Sequence, residues 1–302
     1  MLASRSVLAP TELRLPLATG LTLNVLEWGG RDSSRDHTLV LVHGFLDLAW
    51  GFGPLVDHGL AERFHVVAPD MRGHGDSDRV GAGGYYHFMD YVADLAGVVE
   101  ALGRGRVSLV GHSMGGSIAA YYAGAFPERV HALALLEGLG PPEDETPHPV
   151  RVESWIRAWK RARESESRAY PSLDAAAERL RAADPLLSDE LARYFAEHGT
   201  VALPGGARRF KHDPLHLTRG PYPFRVDVAE SFWRAVKCPV LLVEGADSPF
   251  RSLANLERRV ACFQSPERVI IDGASHMLQR HQPAALARVL LDFLDPAHPP
   301  PP

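Results

Sequence analysis

The stretch Arg106-Val-Ser-Leu-Val-Gly-His-Ser-Met-Gly-Gly-Ser-Ile-Ala-Ala120 decides how the rest of the chain is read. Val107 to Val110 is short and apolar, the pattern of a buried strand. Gly116 to Phe126 is rich in Ala, carries a Tyr pair and reads as a helix. Between them lies Gly111-His112-Ser113-Met114-Gly115, a G-x-S-x-G pattern at a strand-to-helix turn. Such a turn is tight. It forces its serine towards a backbone conformation that a β-carbon avoids, and its glycines let neighbouring backbone pack close. The hydroxyl is then presented at a helix N-terminus, where the helix dipole favours developing negative charge. In a chain with 27 glycines a G-x-S-x-G can arise by chance and be inert. The strand before and the helix after set this one apart.

The length of 302 residues allows one large α/β domain, or a domain with an insertion. Hydrophobic residues at 45% and charged residues at 23% fit a globular protein. The net charge of −5 leaves no basic excess to hold nucleic acid or an anionic membrane. The Arg-rich stretch from Arg157 to Arg168 is interleaved with Glu and reads as a solvated helix face. Cys238 and Cys262 lack metal-ligand spacing and read as reduced core residues. Met1 to Pro10 lacks the apolar run of a signal peptide, and no run reaches the length of a membrane span. The expectation is a cytoplasmic protein with no membrane span. Residues 1–11 and the Pro-rich 296–302 are expected to be flexible.

Strand patterns recur at Glu12–Leu17, Leu21–Trp28, Thr38–Val42, Phe64–Ala68, Val107–Val110 and Val130–Leu136. They resume at Pro239–Val243 and Arg268–Ile271. Helical spacing appears in Trp50–Glu62, Asp90–Leu102, Ser252–Ala261 and Pro283–Leu294. Strand–helix–strand order predicts a parallel sheet with right-handed crossovers. In such sheets sites form beyond the carboxyl ends of strands. That rule singles out His43 to Phe45, Asp70 to Gly75, Ser113 and Glu137. From Gly140 the composition changes. Prolines at 141, 142, 147 and 149 precede helix-like segments at 152–166, 172–183 and 188–198, and 201–224 has no clear period. The domain expectation is core 12–139, a helical lid 140–237, and core 238–295.

The set His43-Gly44-Phe45, Pro69-Asp70-Met71-Arg72-Gly73-His74-Gly75-Asp76-Ser77, Gly111-His112-Ser113-Met114-Gly115-Gly116 and Gly273-Ala274-Ser275-His276-Met277 resembles the α/β-hydrolase family. The motifs stand in the family's order and span about residues 12 to 294. The closest subgroup is similar to serine-hydrolase-like proteins and short-chain esterases. The resemblance implies an α/β-hydrolase fold, a mostly parallel central sheet flanked by helices, with a helical lid after strand 6. It also implies that Ser113 is the nucleophile and that His276, in the loop after the last strand, is the base. His281 is the rival for the base, and His112 reads as structural, pointing away from the site. Two backbone N–H groups, of Phe45 and Met114, are implied as the oxyanion hole. The loop from Asp70 to Ser77 is implied to be a structural turn.

The acid departs from the commonest family pattern, G-x-x-D after the strand Pro239–Val243. Here the stretch reads Gly245-Ala246-Asp247-Ser248, so Ser248 holds the expected position and Asp247 falls one residue short. Glu137 follows the strand after the nucleophile, where some family members resemble an arrangement with the acid moved. A buried carboxylate there needs a partner, and His276 would be one. Glu137 is the expected acid and Asp247 the alternative.

A serine hydroxyl needs a base, and the base needs a third group to hold its tautomer. The function expected is a serine hydrolase cleaving a carboxylic ester or related acyl bond of an apolar small molecule, with no metal and no cofactor. The alternatives are an acyltransferase, a cofactor-free peroxidase or a C–C bond hydrolase with the same triad, and an inactive binding protein on this scaffold.

Overall fold

A computed structural model describes residues 9–30, 37–164 and 167–294. The expectations for 1–8, 165–166 and 295–302 lie outside the described residues. The strands are β1 (Thr11–Pro16), β2 (Thr22–Trp28), β3 (Thr38–Val42), β4 (His65–Pro69), β5 (Val107–His112), β6 (Val130–Leu136), β7 (Ala169–Tyr170), β8 (Thr200–Ala202), β9 (Arg208–Phe210), β10 (Val240–Gly245) and β11 (Glu267–Ile271). Eight of them form one sheet in the order β1-β2-β4-β3-β5-β6-β10-β11. β1, β2 and β4 pair antiparallel, and every pairing from β4 to β11 is parallel.

The inner strands are apolar on both faces because helices cover both sides. Along β3, Val40 and Val42 pack on one face with Leu109, Tyr121 and Trp233, while Leu39 and Leu41 pack on the other with Phe52, Leu286 and Leu290. This period-2 division puts one core on each face of the sheet. The helix Met114–Ala125 crosses one face with nine buried residues, among them Ile118, Tyr121 and Tyr122. The helix Pro283–Leu294 covers the other with Leu286, Ala287, Leu290 and Leu294 buried.

Between β6 and β10 the chain makes an insertion with its own small core. Ser172 caps the helix Leu173–Ala183 by accepting from the Ala175 N–H at 3.1 Å, and Ser188 caps the helix Asp189–Gly199 in the same way from Leu191. These two helices pack through Ala176, Ala177, Ala192, Phe195 and Ala196, with Leu187 of the turn between them. The insertion is not purely helical. β7, β9 and β8 form a three-stranded antiparallel sheet, and a helix at Val226–Trp233 follows. Strands of two and three residues are too short to show a period in sequence. The expected helix Ser252–Ala261 is likewise divided, into a 3-10 turn at Pro249–Ser252 and a helix at Leu256–Val260.

The helix after Ser113 approaches the loop after β6 backbone to backbone. A β-carbon built on Gly116 would stand 2.6 Å from the Gly138 Cα, and neither main chain can yield. Gly116→Ala is expected to destabilise the fold by about 2 kcal/mol or more. Gly105→Ala, where an added β-carbon meets nothing within 4 Å, is expected to be near neutral. Urea-unfolding midpoints of the two variants check the contrast.

Candidate active site

Ser113 sits between β5 and the helix Met114–Ala125 with φ 52° and ψ −116°. This left-handed conformation is held by what surrounds it: the Ser113 N–H donates to the Leu136 carbonyl at 2.9 Å, and its own carbonyl accepts from the Ser117 N–H. The turn lifts the hydroxyl off the sheet. His276, five residues beyond the end of β11, brings Nε2 to 3.0 Å from Ser113 Oγ. Its ring stacks on Phe250, centroids 4.7 Å apart.

Glu137 lies one residue past β6, also at positive φ (53°), and its side chain is almost fully buried. Oε2 lies 3.7 Å from His276 Nδ1. The carboxylate is held from the end of β10 and the loop after it: the Gly245 N–H donates to Oε1 and the Ser248 hydroxyl to Oε2, both at 2.7 Å. The structure therefore brings Ser113, His276 and Glu137 into one line. Asp247 is exposed, and its main chain, not its carboxylate, joins the loop that carries His276 through Ala274 and Ser275. His281 is also off the line. Its Nδ1 accepts from the Ser275 N–H at 3.1 Å and its Nε2 meets Asp184 of the insertion at 2.8 Å.

His112 does not simply point away. Its Nε2 donates to the His276 carbonyl at 2.8 Å, and its Nδ1 accepts from Gln279 at 3.3 Å. It braces the main chain of the residue whose ring faces Ser113. Gln279 lies 3.5 Å from the Asp47 carboxylate, which also takes an ion pair from Arg280 at 2.6 Å. Burial opposes ionisation of Asp47, but the Arg280 guanidinium and a hydrogen bond from the Leu48 N–H favour the charged form, and its pKa falls below the usual value. The Arg280 guanidinium lies 4.4 Å over the Phe195 ring. The insertion is thus fastened at Arg280 and His281, on the short helix Leu278–His281 that follows the loop carrying His276.

The loop after β3 lies against the serine. A β-carbon on Gly44 would come 2.7 Å from His112 Nδ1 and 3.2 Å from Ser113 Cβ, so only glycine fits. Phe45 follows directly on this close approach and is 49% exposed. Met114 is the first residue of the following helix, whose leading N–H groups have no intrahelical acceptor. Two buried histidines shape this loop. His43 donates from Nδ1 to the Gly44 carbonyl and accepts at Nε2 from the Met71 N–H. His74 donates from Nδ1 to the Arg72 carbonyl and accepts at Nε2 from the Leu46 N–H at 3.2 Å. Asp70 accepts from the Ala49 and Asp76 N–H groups and from Asn24, so the segment from Asp70 to Ser77 acts as scaffold under the site loops.

Ser248, Phe250, Asp47 and Gln279 were not among the residues expected from sequence. Only Ser248 left a signal there, as the departure from G-x-x-D. Among the described residues no cluster of His, Cys, Asp or Glu could hold a metal ion, and Cys238 and Cys262 are free thiols. No described helix is long and apolar enough to cross a membrane.

A serine on a strand-to-helix turn, a histidine at hydrogen-bond distance and a buried carboxylate beyond it, on a mostly parallel sheet, define a hydrolase-type α/β protein. The family described as "alpha/beta hydrolase fold" matches residues 37–280. A serine hydrolase-like protein of Danio rerio is 30% identical over 96% of this chain and 90% of its own length. The structure of a hypothetical protein of Pseudomonas aeruginosa PAO1 superposes with a TM-score of 0.82, at 29% identity over 94% of this chain and 99% of that one. A thioesterase domain from the curacin biosynthetic pathway superposes at 0.81, with 25% identity over 94% of this chain and 99% of that one. The chain belongs to the α/β-hydrolase family.

Burial pushes the pKa of His112 down to about 3, with His276 adding to the shift, and burial likewise pushes His216 down to about 3. Both are neutral in the folded protein. Unfolding frees them to bind protons below about 6.5, so their contribution is full above that pH and is lost as pH falls towards 3. From pH 7 to pH 5 the unfolding free energy is expected to drop by about 2 kcal/mol for each of these histidines. Urea titrations at the two pH values check the drop, and His216→Phe should reduce it.

Proposed function

We propose that the chain is a serine hydrolase that cleaves a carboxylic ester, or a related acyl bond such as a thioester or lactone, through an acyl-enzyme on Ser113. The observation that carries this reading is the 3.0 Å contact between His276 Nε2 and Ser113 Oγ, backed by the buried Glu137 carboxylate on the far side of the ring. Ser113 Oγ attacks the carbonyl carbon as His276 takes its proton. The Phe45 and Met114 N–H groups receive the oxyanion. His276 then gives the proton to the leaving alkoxide or thiolate, the tetrahedral intermediate collapses, and the acyl-enzyme remains. Water, deprotonated by His276, attacks the acyl carbonyl and releases the acid and free Ser113.

Glu137 holds the proton of His276 on Nδ1 and stabilises the imidazolium. The 3.7 Å gap closes with a ring movement of roughly 1 Å once substrate is bound, since such contacts tighten in the reacting complex. This chemistry needs neither metal nor cofactor. The insertion from about 140 to 237 serves as a lid, fastened at Asp184 and Phe195 to the short helix that follows the base loop. The exposed apolar side chains of Phe45 and Leu46, on the loop beside Ser113, favour an apolar acyl substrate.

A fluorophosphonate probe tests the reading. Wild-type protein should be labelled on Ser113, and Ser113→Ala should not be labelled at all. Glu137→Gln should label about 100-fold more slowly or worse, because the wrong tautomer is then favoured. Asp247→Asn should label at the wild-type rate. Folded wild-type protein that stays unlabelled would refute the enzyme reading, and the opposite dependence of the two acid variants would move the acid to Asp247.

A further inference from the structure

Ser248 occupies the place where the sequence pattern puts an acid, yet it is a buried hydroxyl with two partners that matter. It donates to Glu137 Oε2 at 2.7 Å, the same oxygen that lies 3.7 Å from His276 Nδ1. It accepts from the Phe250 N–H at 3.2 Å. The Phe250 ring in turn stacks on His276. A hydroxyl has one proton to give, and here its acceptor side is engaged by Phe250, so that proton is directed at the carboxylate.

The need for such a device follows from Glu137 itself. A glutamate has one more side-chain torsion than an aspartate, and this one starts from a left-handed backbone at φ 53°. Its Oε1 is pinned by the Gly245 N–H, which leaves rotation about the carboxylate's own axis to be fixed by whatever holds Oε2. Among the described residues, the Ser248 hydroxyl alone makes a side-chain hydrogen bond to that oxygen. We propose that Ser248 is a positioning residue: it aims Glu137 Oε2 at His276 and, through Phe250, keys the acid to the face of the base. The proposal rests on the serine-hydrolase reading of the site.

The test is the second-order rate of fluorophosphonate labelling in Ser248→Ala, Ser248→Thr and Ser248→Val, each made in the wild-type and in the Glu137→Gln background. Ser248→Ala is expected to label about tenfold more slowly, the scale of losing a charge-assisted hydrogen bond that orients a reacting group. Ser248→Thr keeps the hydroxyl and should stay within about threefold of wild type, while Ser248→Val, of the same shape without it, should fall with Ala. In the Glu137→Gln background the three substitutions should change the rate little, because the group they act through is already gone. Should Ser248→Ala not fold, the Thr and Val pair still decides. Equal rates for Thr and Val, or the same loss in both backgrounds, would overturn the positioning role. Wild-type protein that is never labelled would instead overturn the hydrolase reading on which it rests.

Discussion

The structure depends on one strained turn. Ser113 is held at φ 52°, a conformation that costs of order 1–3 kcal/mol for a residue with a β-carbon. It persists because the surroundings leave no alternative. The Ser113 N–H is tied to the Leu136 carbonyl on the next strand, Gly44 packs on its β-carbon, and Gly116 meets Gly138 main chain to main chain. Close packing on all sides turns a local penalty into a fixed position. The same packing places the carboxyl ends of β3, β5 and β6 within reach of one another, and with them Phe45, Ser113 and Glu137.

Around this turn the loops are tied to each other by buried polar groups. His43 and His74 bind the loop after β3 to the loop after β4. Asp47, Gln279 and His112 bind the loop after β3 to the main chain of His276. Gly245 at the end of β10 and Ser248 in the loop after it bind Glu137. Each bond satisfies a group that would be costly to bury unpaired. Satisfying them fixes the distances on which proton transfer would depend. The insertion joins this scheme through Arg280 and His281, three and four residues after the loop's Met277.

Much of this was legible in the sequence. The sheet strands show as apolar runs because both faces are covered, and the rule that sites form at carboxyl strand ends selects the Ser113 and Glu137 loops directly. The insertion resisted reading. Its strands β7, β8 and β9 are two or three residues long, and its helix at Val226–Trp233 spans little more than two turns, so neither presents a period to detect. His112 was legible as a scaffold residue, but its bond to the His276 carbonyl joins positions 164 residues apart, which no local pattern encodes.

The sequence by itself determined the fold class, the strand-to-helix turn at Ser113 and the candidate residues around it, because each rests on local features: an apolar run, a glycine pair, a charged residue at a strand end. It left two carboxylates, Glu137 and Asp247, and two histidines, His276 and His281, in competition. Tertiary structure decided which of them meet. A side chain's direction at a strand end depends on backbone angles and on what packs against it, and one residue of register separates the exposed Asp247 from the buried Ser248. That step sends the carboxylate to solvent and the hydroxyl onto Glu137, an outcome fixed only when β6, β10 and the loop after β11 are brought side by side.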